Sequence, residues 1–568
     1  MYKRQVYLYA YRDGETPDVR TAILFKGTLA EMHTTHIVVH LNDGQQNPHV
    51  FGDEQPSTTH HGQRPKAATR YAVEHGGSDA GTGSAVRSLH EFITADESRR
   101  SVLLAQRSPQ CDTTKALSRS YDPLLDPLLL RAKQASDYFL LVGPPGTGKT
   151  SRALRFIVEE ELADEKGQVL LMSYTNRAVD EICSMLCDAG IGFMRIGNEY
   201  SCDPRFRPYL LSHAVDSTLR LGDITQKVKA TRVVVGTTAT LMARPFIFAL
   251  KRFTLAVVDE AGQITEPNII GLLAAHNHAR PQRQVVGRFI LIGDYKQLPA
   301  VVQQSEQESA VTDPLLRDIG ITNCRDSLFE RLIRNERAHG RTQFIGILRR
   351  QGRMHPDIAD FANRMFYFNA QLQPVPCKHQ TEGPLGYGAP SADHTDDVLK
   401  SRRMVFIASG PCHTAGMSDK VNTHEAHIVA DMLRRIKRFY GERFCAATTV
   451  GVIVPYRNQI AMIRKEMARM HLEGLDDVSI DTVERFQGSQ RDVIIYSFTV
   501  HSQWQMEFLT ANCFDEDGRT IDRKLNVAIT RARRQMIMTG NPQVLGNDPI
   551  FMQLMDFAKA HGGYLEQQ

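Results

Sequence analysis

Five short apolar runs constrain this chain most: YFLLVG (138–143), QVLLMS (168–173), RVVVGT (232–237), LAVVDE (255–260) and RFILIGD (288–294). Each stops at a glycine or a polar residue, and helical periodicity follows. A strand apolar on both faces is buried on both faces, which calls for a parallel sheet covered by crossover helices. The texture recurs at RMVFIAS (403–409), TVGVIVP (449–455) and DVIIYSF (492–498), with QMIMTGN (535–541) after them. Two α/β halves fit this pattern.

The first 50 residues read differently. Val6, Leu8 and Ala10 alternate with Tyr7, Tyr9 and Tyr11, and further strand signals lie at 22–25 and 37–41, so a small β-rich domain is expected there. The tyrosine face reads as one side of a packed strand. The polar runs at 52–66 and 76–84 read as loops, including Gly81-Thr-Gly-Ser84, which lacks the lysine and the preceding strand of a phosphate loop. A strand signal this close to Met1 reads as an abrupt start, as in a piece of a longer chain.

Composition excludes more than it assigns. With 42% apolar and 23% charged residues, 568 residues are neither disordered, collagen-like nor a disulfide-stapled miniprotein. No apolar run approaches the roughly 18 residues of a membrane helix, and residues 1–30 lack a leader pattern; a soluble cytoplasmic protein without a membrane partner is expected. The nine cysteines form no C-x-x-C pair, so no zinc ribbon or iron–sulfur cluster is expected. Cys183 and Cys187, one helical turn apart, read as core thiols. His33, His36, His60 and His61 make no ligand set. A net charge of +4 is too weak to indicate nucleic acid by itself.

The sharpest motif is Gly143-Pro144-Pro145-Gly146-Thr147-Gly148-Lys149-Thr150, after one buried strand and before a helix carrying Ala153, Leu154, Ile157, Val158 and Leu162. In a G-x-x-x-x-G-K-[ST] loop the backbone N–H groups and the helix N-terminus bind phosphate oxygens, the lysine neutralises the β and γ phosphates, and the hydroxyl reaches Mg²⁺. Asp259 and Glu260 end another buried strand. There Asp259 is expected to hold Mg²⁺ and Glu260 to orient and deprotonate the attacking water.

Asp294-Tyr-Lys-Gln297-Leu-Pro makes the reading specific. GDYKQLP resembles the third motif of superfamily 1 helicases and DEAGQ the second. Gln351-Gly-Arg353-Met-His-Pro, Val454-Pro-Tyr-Arg-Asn, Asp481-Thr-Val-Glu-Arg-Phe-Gln487-Gly488 and Leu525-Asn-Val-Ala-Ile-Thr-Arg531-Ala-Arg533 follow in the order of the Upf-like branch, the type of the nonsense-mediated-decay and Okazaki-flap helicases. The resemblance covers about residues 121 to 568. It implies two RecA-like P-loop NTPase lobes, ATP and Mg²⁺, Gln297 sensing the γ-phosphate, Asp294 bracing the site, and Arg353 and Arg531 as fingers from the second lobe, with Arg533 behind the site or at the surface. Gly488 and Gln490 are expected at the nucleotide. Gly352 stands where the family places an aromatic and Gln490 where it places an acid, so base discrimination is relaxed or supplied elsewhere.

By the same resemblance Ser173, Thr175, Asn176, Thr237 and Thr238 touch nucleic acid from the first lobe, and Pro455, Tyr456, Arg457 and Thr482 from the second. Short hydroxyl and amide side chains suit sequence-blind phosphate contact. A capping box accounts for Glu425, at the start of a helix with Ala426, Val429, Leu433 and Ile436, and LRRIKR (433–438) reads as that helix's solvated face. The division expected is a β-rich accessory domain (1–120), a first lobe (121–325) with a short insertion (191–230), and a second lobe (326–568). The expected activity is that of a monomeric ATP-driven motor on single-stranded DNA or RNA, unwinding DNA 5′ to 3′. The alternatives are an RNA helicase and a nucleic-acid-stimulated ATPase switch that does not unwind.

Overall fold

The computed structural model describes residues 5–14, 16–18, 25–41, 69–75, 79–214, 221–277, 280–302, 304–410 and 419–566. The polar run 52–66, with His60 and His61, the expected strand residues 22–24, and Cys412 lie outside them. By its internal contacts the chain divides into residues 1–86 and 87–568.

The N-terminal unit is an antiparallel sheet of β1 (Gln5–Arg12), β2 (Phe25–Met32), β3 (Ile37–Leu41) and β4 (Thr69–His75), in the order β3-β2-β1-β4. Tyr9 is wholly buried and its hydroxyl bonds Glu74, while Tyr7 and Tyr11 are half-buried. Strand β4 lies beyond the strands expected in the first 50 residues.

Part of the 76–84 run is helical, because α1 spans Asp79–Ile93. Glycines weaken a helix by about 1 kcal/mol each, yet packing of the second half offsets this. Ser88 is wholly buried, and its Oγ accepts the Gly271 N–H at 2.9 Å. A Cβ on Gly271 would sit 2.1 Å from the Ser88 carbonyl oxygen, so only glycine admits this approach.

The second unit is built on two large parallel sheets. The first comprises β5 (Tyr138–Val142), β6 (Val169–Ser173), β7 (Met194–Ile196), β8 (Val233–Thr237), β9 (Phe253–Val258), β10 (Val286–Gly293) and β11 (Ile345–Ile347), all parallel, ordered β11-β5-β10-β9-β6-β8-β7. Alternate residues feed opposite faces: Leu140, Leu170, Ala256 and Phe289 enter one core, and Phe139, Leu171, Val257 and Ile290 the other. This two-sided burial is why the runs carry no polar alternation.

Two boundaries differ from expectation. Helix α2 (Glu97–Leu103) buries Val102 and Leu103 in the first core, and Arg99 donates to the Val286 carbonyl at 2.7 Å, so residues 87–120 belong with the first lobe. Strand β11 pairs with β5, so the chain leaves the first sheet after 347 rather than at 326. The 191–230 insertion also contributes to this lobe, through β7 and the buried Phe206 and Leu210. Cys183 is buried but Cys187 is exposed.

The second sheet contains β12 (Met404–Ala408), β13 (Val450–Val454), β14 (Ser479–Thr482) and β15 (Arg491–Ser497). A hairpin of β16 (Cys513–Glu516) and β17 (Arg519–Asp522) precedes β18 (Ala532–Gly540) and β19 (Tyr564–Leu565). The six sheet strands are parallel, ordered β14-β13-β15-β18-β12-β19.

Helix α3 (Thr423–Tyr440) covers this sheet with Ala426, Val429, Leu433 and Ile436 buried. Its 433–438 run is only partly solvated, because Arg435 is buried against Asp393, Asp396 and Asp431. Asn422 caps the helix through the Glu425 N–H at 3.0 Å, but Glu425 does not complete a capping box: the Asn422 N–H goes to Gln459. The Glu425 carboxyl instead accepts from Ser497 Oγ (2.6 Å), the Thr499 N–H (2.8 Å) and Asn422 Nδ2 (3.0 Å).

Burial pushes the Glu425 pKa up to about 7, against the donors that lower it. A carboxyl that holds its proton more tightly when folded loses stability as pH rises from the unfolded value near 4.5 through about 7. Chemical denaturation of the wild type and Glu425→Gln at pH 5 and pH 8 should show the wild type losing about 3 kcal/mol relative to the variant over that interval. An equal pH slope in the two proteins would contradict this.

Candidate nucleotide site

All five residues of β5 are buried, and the strand delivers Gly143 to the carboxyl edge of the sheet, where its N–H bonds the Gly293 carbonyl at 2.8 Å. Gly146 (φ +74°) and Gly148 (φ +75°) turn the chain through left-handed backbone. A Cβ on Gly146 would meet Arg353 Cβ at 2.4 Å, and the Gly146 carbonyl accepts the Gly352 N–H at 2.9 Å. The loop therefore touches the 351–353 segment directly.

Behind the loop, Thr150 Oγ1 donates to Asp259 Oδ2 at 2.6 Å, and Lys149 Nζ lies 3.0 Å from Glu260 Oε1. Glu260 itself has a left-handed backbone (φ +55°), a conformation uncommon for a residue with a Cβ and found where the surroundings impose it. Gln263 holds the other carboxylate oxygen at 2.8 Å.

From β10, Gln297 Nε2 donates to Asp294 Oδ2 at 2.8 Å, while Gln297 Oε1 accepts from Arg531 Nη2 at 2.9 Å. Tyr367 donates to the same Asp294 oxygen at 2.6 Å, and Asn526 Nδ2 donates to Tyr367 (2.9 Å) and to the Lys296 carbonyl (2.7 Å). Arg353 Nε donates to Gln490 Oε1 at 3.0 Å. A cavity of about 590 Å³ opens among these groups, lined by the phosphate-loop residues 144–150, Glu260, Gln297, Arg353, Gly488, Gln490 and Arg531.

The charges compensate one another. Burial works against the Lys149 ammonium, but Glu260, Asp259 and Asp294 outweigh it and raise its pKa. Burial also works against the Glu260 carboxylate, yet Lys149 and Gln263 hold its pKa below the ordinary range. Asp259 is pushed up to about 6 by burial and by Glu260. Burial, then Arg353, lowers Arg531 to about 9.

Two AAA-domain family models match the chain, one over residues 127–233 and 222–305 and the other over 324–543. The chain is a superfamily 1 P-loop NTPase of the Upf-like branch. It is 26% identical over 583 residues to the DNA replication ATP-dependent helicase/nuclease JHS1 of Arabidopsis thaliana, covering 98% of this chain and 39% of that one. To the DNA2 proteins of Gallus gallus and Homo sapiens it is 29% and 28% identical, covering 71% and 72% of this chain and 34% and 36% of theirs. The chain thus spans less than half the length of the curated relatives it matches.

Within this superfamily 1 scaffold, the residues expected to meet nucleic acid divide. Ser173 is wholly buried and donates to the Asp259 carbonyl at 3.0 Å, so it braces the acidic strand end. Thr237 and Thr238 are buried, Thr237 capping the next helix through the Thr240 N–H. Pro455 and Tyr456 are buried as well, whereas Thr175 and Arg457 are exposed and Asn176 and Thr482 half-buried. Thr175 also caps a helix, accepting from the Ala178 N–H.

Sequence reasoning missed Tyr367 and Asn526. Tyr367 sits in an apolar run without a motif, and Asn526 lies inside one as an unremarked position. Gln490, placed in sequence at the nucleotide, lines the cavity but also holds Arg353.

The β16–β17 hairpin adds a second connection between the lobes. Glu516 is ion-paired with Lys296 and Arg337 and bonded to the Tyr295 hydroxyl. Next to it Arg523 Nη2 donates to Glu330 at 2.8 Å. Lys296 is 5% exposed, and removing one partner from a buried pair leaves an uncompensated charge. Glu516→Ala should lower unfolding free energy by about 3–5 kcal/mol, with Glu516→Gln less damaging. An unchanged denaturation midpoint for the alanine variant would refute this coupling.

Proposed function

We propose that this chain is an ATP-driven motor that moves along single-stranded nucleic acid and unwinds DNA, 5′ to 3′. The observation that carries the reading is the meeting of first-lobe Lys149, Glu260 and Gln297 with second-lobe Arg353 and Arg531 around one cavity. A kinase of the P-loop type gives no role to arginines that a second lobe supplies. The DNA2 and JHS1 relatives, named as DNA replication helicases, support DNA as the substrate.

In this reading the phosphate loop seats the nucleotide's phosphates on its N–H groups and Lys149. Thr150 and Asp259, a hydroxyl and a carboxylate 2.6 Å apart, are the oxygen donors that suit Mg²⁺, which when bound offsets phosphate charge. Glu260, kept ionised by Lys149, accepts a proton from water as its oxygen attacks the γ-phosphorus. The bond from that phosphorus to the bridging oxygen breaks, leaving ADP and phosphate. Arg353 and Arg531 stabilise the charge spread over the γ oxygens, a contribution typically of 10³ to 10⁵ in rate. Gln297, bonded to both Asp294 and Arg531, transmits the presence of the γ-phosphate from one lobe to the other. Closure of the lobes then accompanies hydrolysis, which links nucleotide state to movement.

Lys149→Ala and Glu260→Gln should each abolish strand-stimulated ATP hydrolysis, measured by phosphate release. Wild-type stimulated rates in either variant would overturn the site. Forked duplexes of DNA and RNA with 5′ or 3′ tails should show ATP-dependent separation of the 5′-tailed DNA. Intact ATPase without strand separation would point to a switch instead.

A further inference from the structure

Gly352 to Met354, the stretch that carries Arg353, belongs to no helix or strand, so its backbone groups must be satisfied by side chains and neighbouring loops. The Gln351 amide does part of this from within, its Oε1 accepting the Arg353 and Met354 N–H groups at 2.9 and 2.7 Å. The carbonyls are met from further along the chain. Gln380 Nε2 donates to the Gln351 and Met354 carbonyls, both at 2.8 Å, and His379 Nε2 donates to the Arg353 carbonyl at 2.9 Å. Resting on the motor reading above, we infer that His379 and Gln380 are positioning residues, which fix the backbone on both sides of Arg353 and so hold its guanidinium toward the nucleotide cavity.

The chemistry of the partners settles which atoms face the segment. Carbonyl oxygens only accept, so the Gln380 amide turns its nitrogen to them and His379 carries its hydrogen on Nε2. Burial, which lowers the His379 pKa, favours this neutral form. His379 Nδ1 is then an acceptor, and Arg533 Nη2 donates to it at 3.5 Å, which gives Arg533 a part to play behind the finger. Gln380 is 5% exposed, and its Oε1 is buried with no hydrogen-bond partner among the described residues. An unpaired buried acceptor is unfavourable, and methionine would fill the same space without one. What the amide alone supplies is a pair of N–H groups for two carbonyls.

The turn that carries the pair, Lys378–Thr381, is tied to the second sheet. Arg403, next to β12, donates to the Glu382 and Gly383 carbonyls at 2.8 and 2.9 Å, and Arg534 of β18 donates to the Glu382 carboxylate at 2.6 Å. The hold on Arg353 therefore belongs to the second lobe, while the Gly352 N–H reaches Gly146 of the phosphate loop at 2.9 Å. Placement matters because a misplacement of about 1 Å in a reacting geometry costs on the order of 10²-fold in rate.

Strand-stimulated phosphate release by the full chain tests the assignment. Gln380→Met keeps the side chain's length and removes both donors, and it should lower kcat about 10- to 100-fold with KM for ATP nearly unchanged. In an Arg353→Ala background the same substitution should cost almost nothing further, because a residue acting through Arg353 has nothing left to position. An equal fall in both backgrounds would mark a general effect on the fold and overturn the proposal, as would an unchanged kcat for Gln380→Met alone. His379, half-buried, gives an independent reading: His379→Ala should lower kcat, and His379→Gln, whose amide nitrogen reaches the place of Nε2, should restore most of it. Equal rates for those two variants would count against the pair. If Arg353→Ala keeps the wild-type rate, the finger of the motor reading is itself wrong; if it does not and Gln380→Met does, only the positioning role fails.

Discussion

Gln297 has two hydrogen-bonding ends, and the structure places one on each side of the cleft. Its amide nitrogen donates to Asp294 of the first lobe, and its carbonyl oxygen accepts from Arg531 of the second. An amide offers both a donor and an acceptor without carrying charge. With Glu or Lys there, one of the two partners would face a group of the wrong kind. Tyr367 and Asn526 extend the chain of bonds, so the positions of Asp294 and Arg531 are set together rather than separately.

The cleft can bury this much charge because opposite charges arrive from different strands at one edge. Lys149 follows β5, Asp259 and Glu260 follow β9, and Asp294 follows β10, all at carboxyl ends of parallel neighbours. Each would be costly to bury alone. Together they hold Lys149 protonated and Glu260 ionised. The arginines lack such a match from their own lobe, and burial lowers both of them. Phosphate charge is what this arrangement suits.

Legibility in the sequence followed the range of the interaction. The phosphate loop, the Asp259–Glu260 pair and GDYKQLP are local: each lies within a few residues of a buried strand, so spacing alone exposes the chemistry. The same holds for the helix over Thr423–Tyr440, whose apolar positions recur with helical period. Long-range pairings left no such trace. Nothing near Ser173 announces its bond to the Asp259 carbonyl, and nothing near Gln490 announces Arg353. Glu425 has the spacing of a capping box, yet Gln459 takes the N–H it would have capped.

The amino-acid sequence by itself determined two parallel-sheet lobes and the identity of the groups that gather around the cavity, because both depend on strand burial and on spacing within one segment. Tertiary structure alone decided where the lobes divide, with α2 and β11 joining the first, and which hydroxyls are exposed. These outcomes rest on which distant surfaces compete for the same buried volume, and no local window of sequence contains that competition.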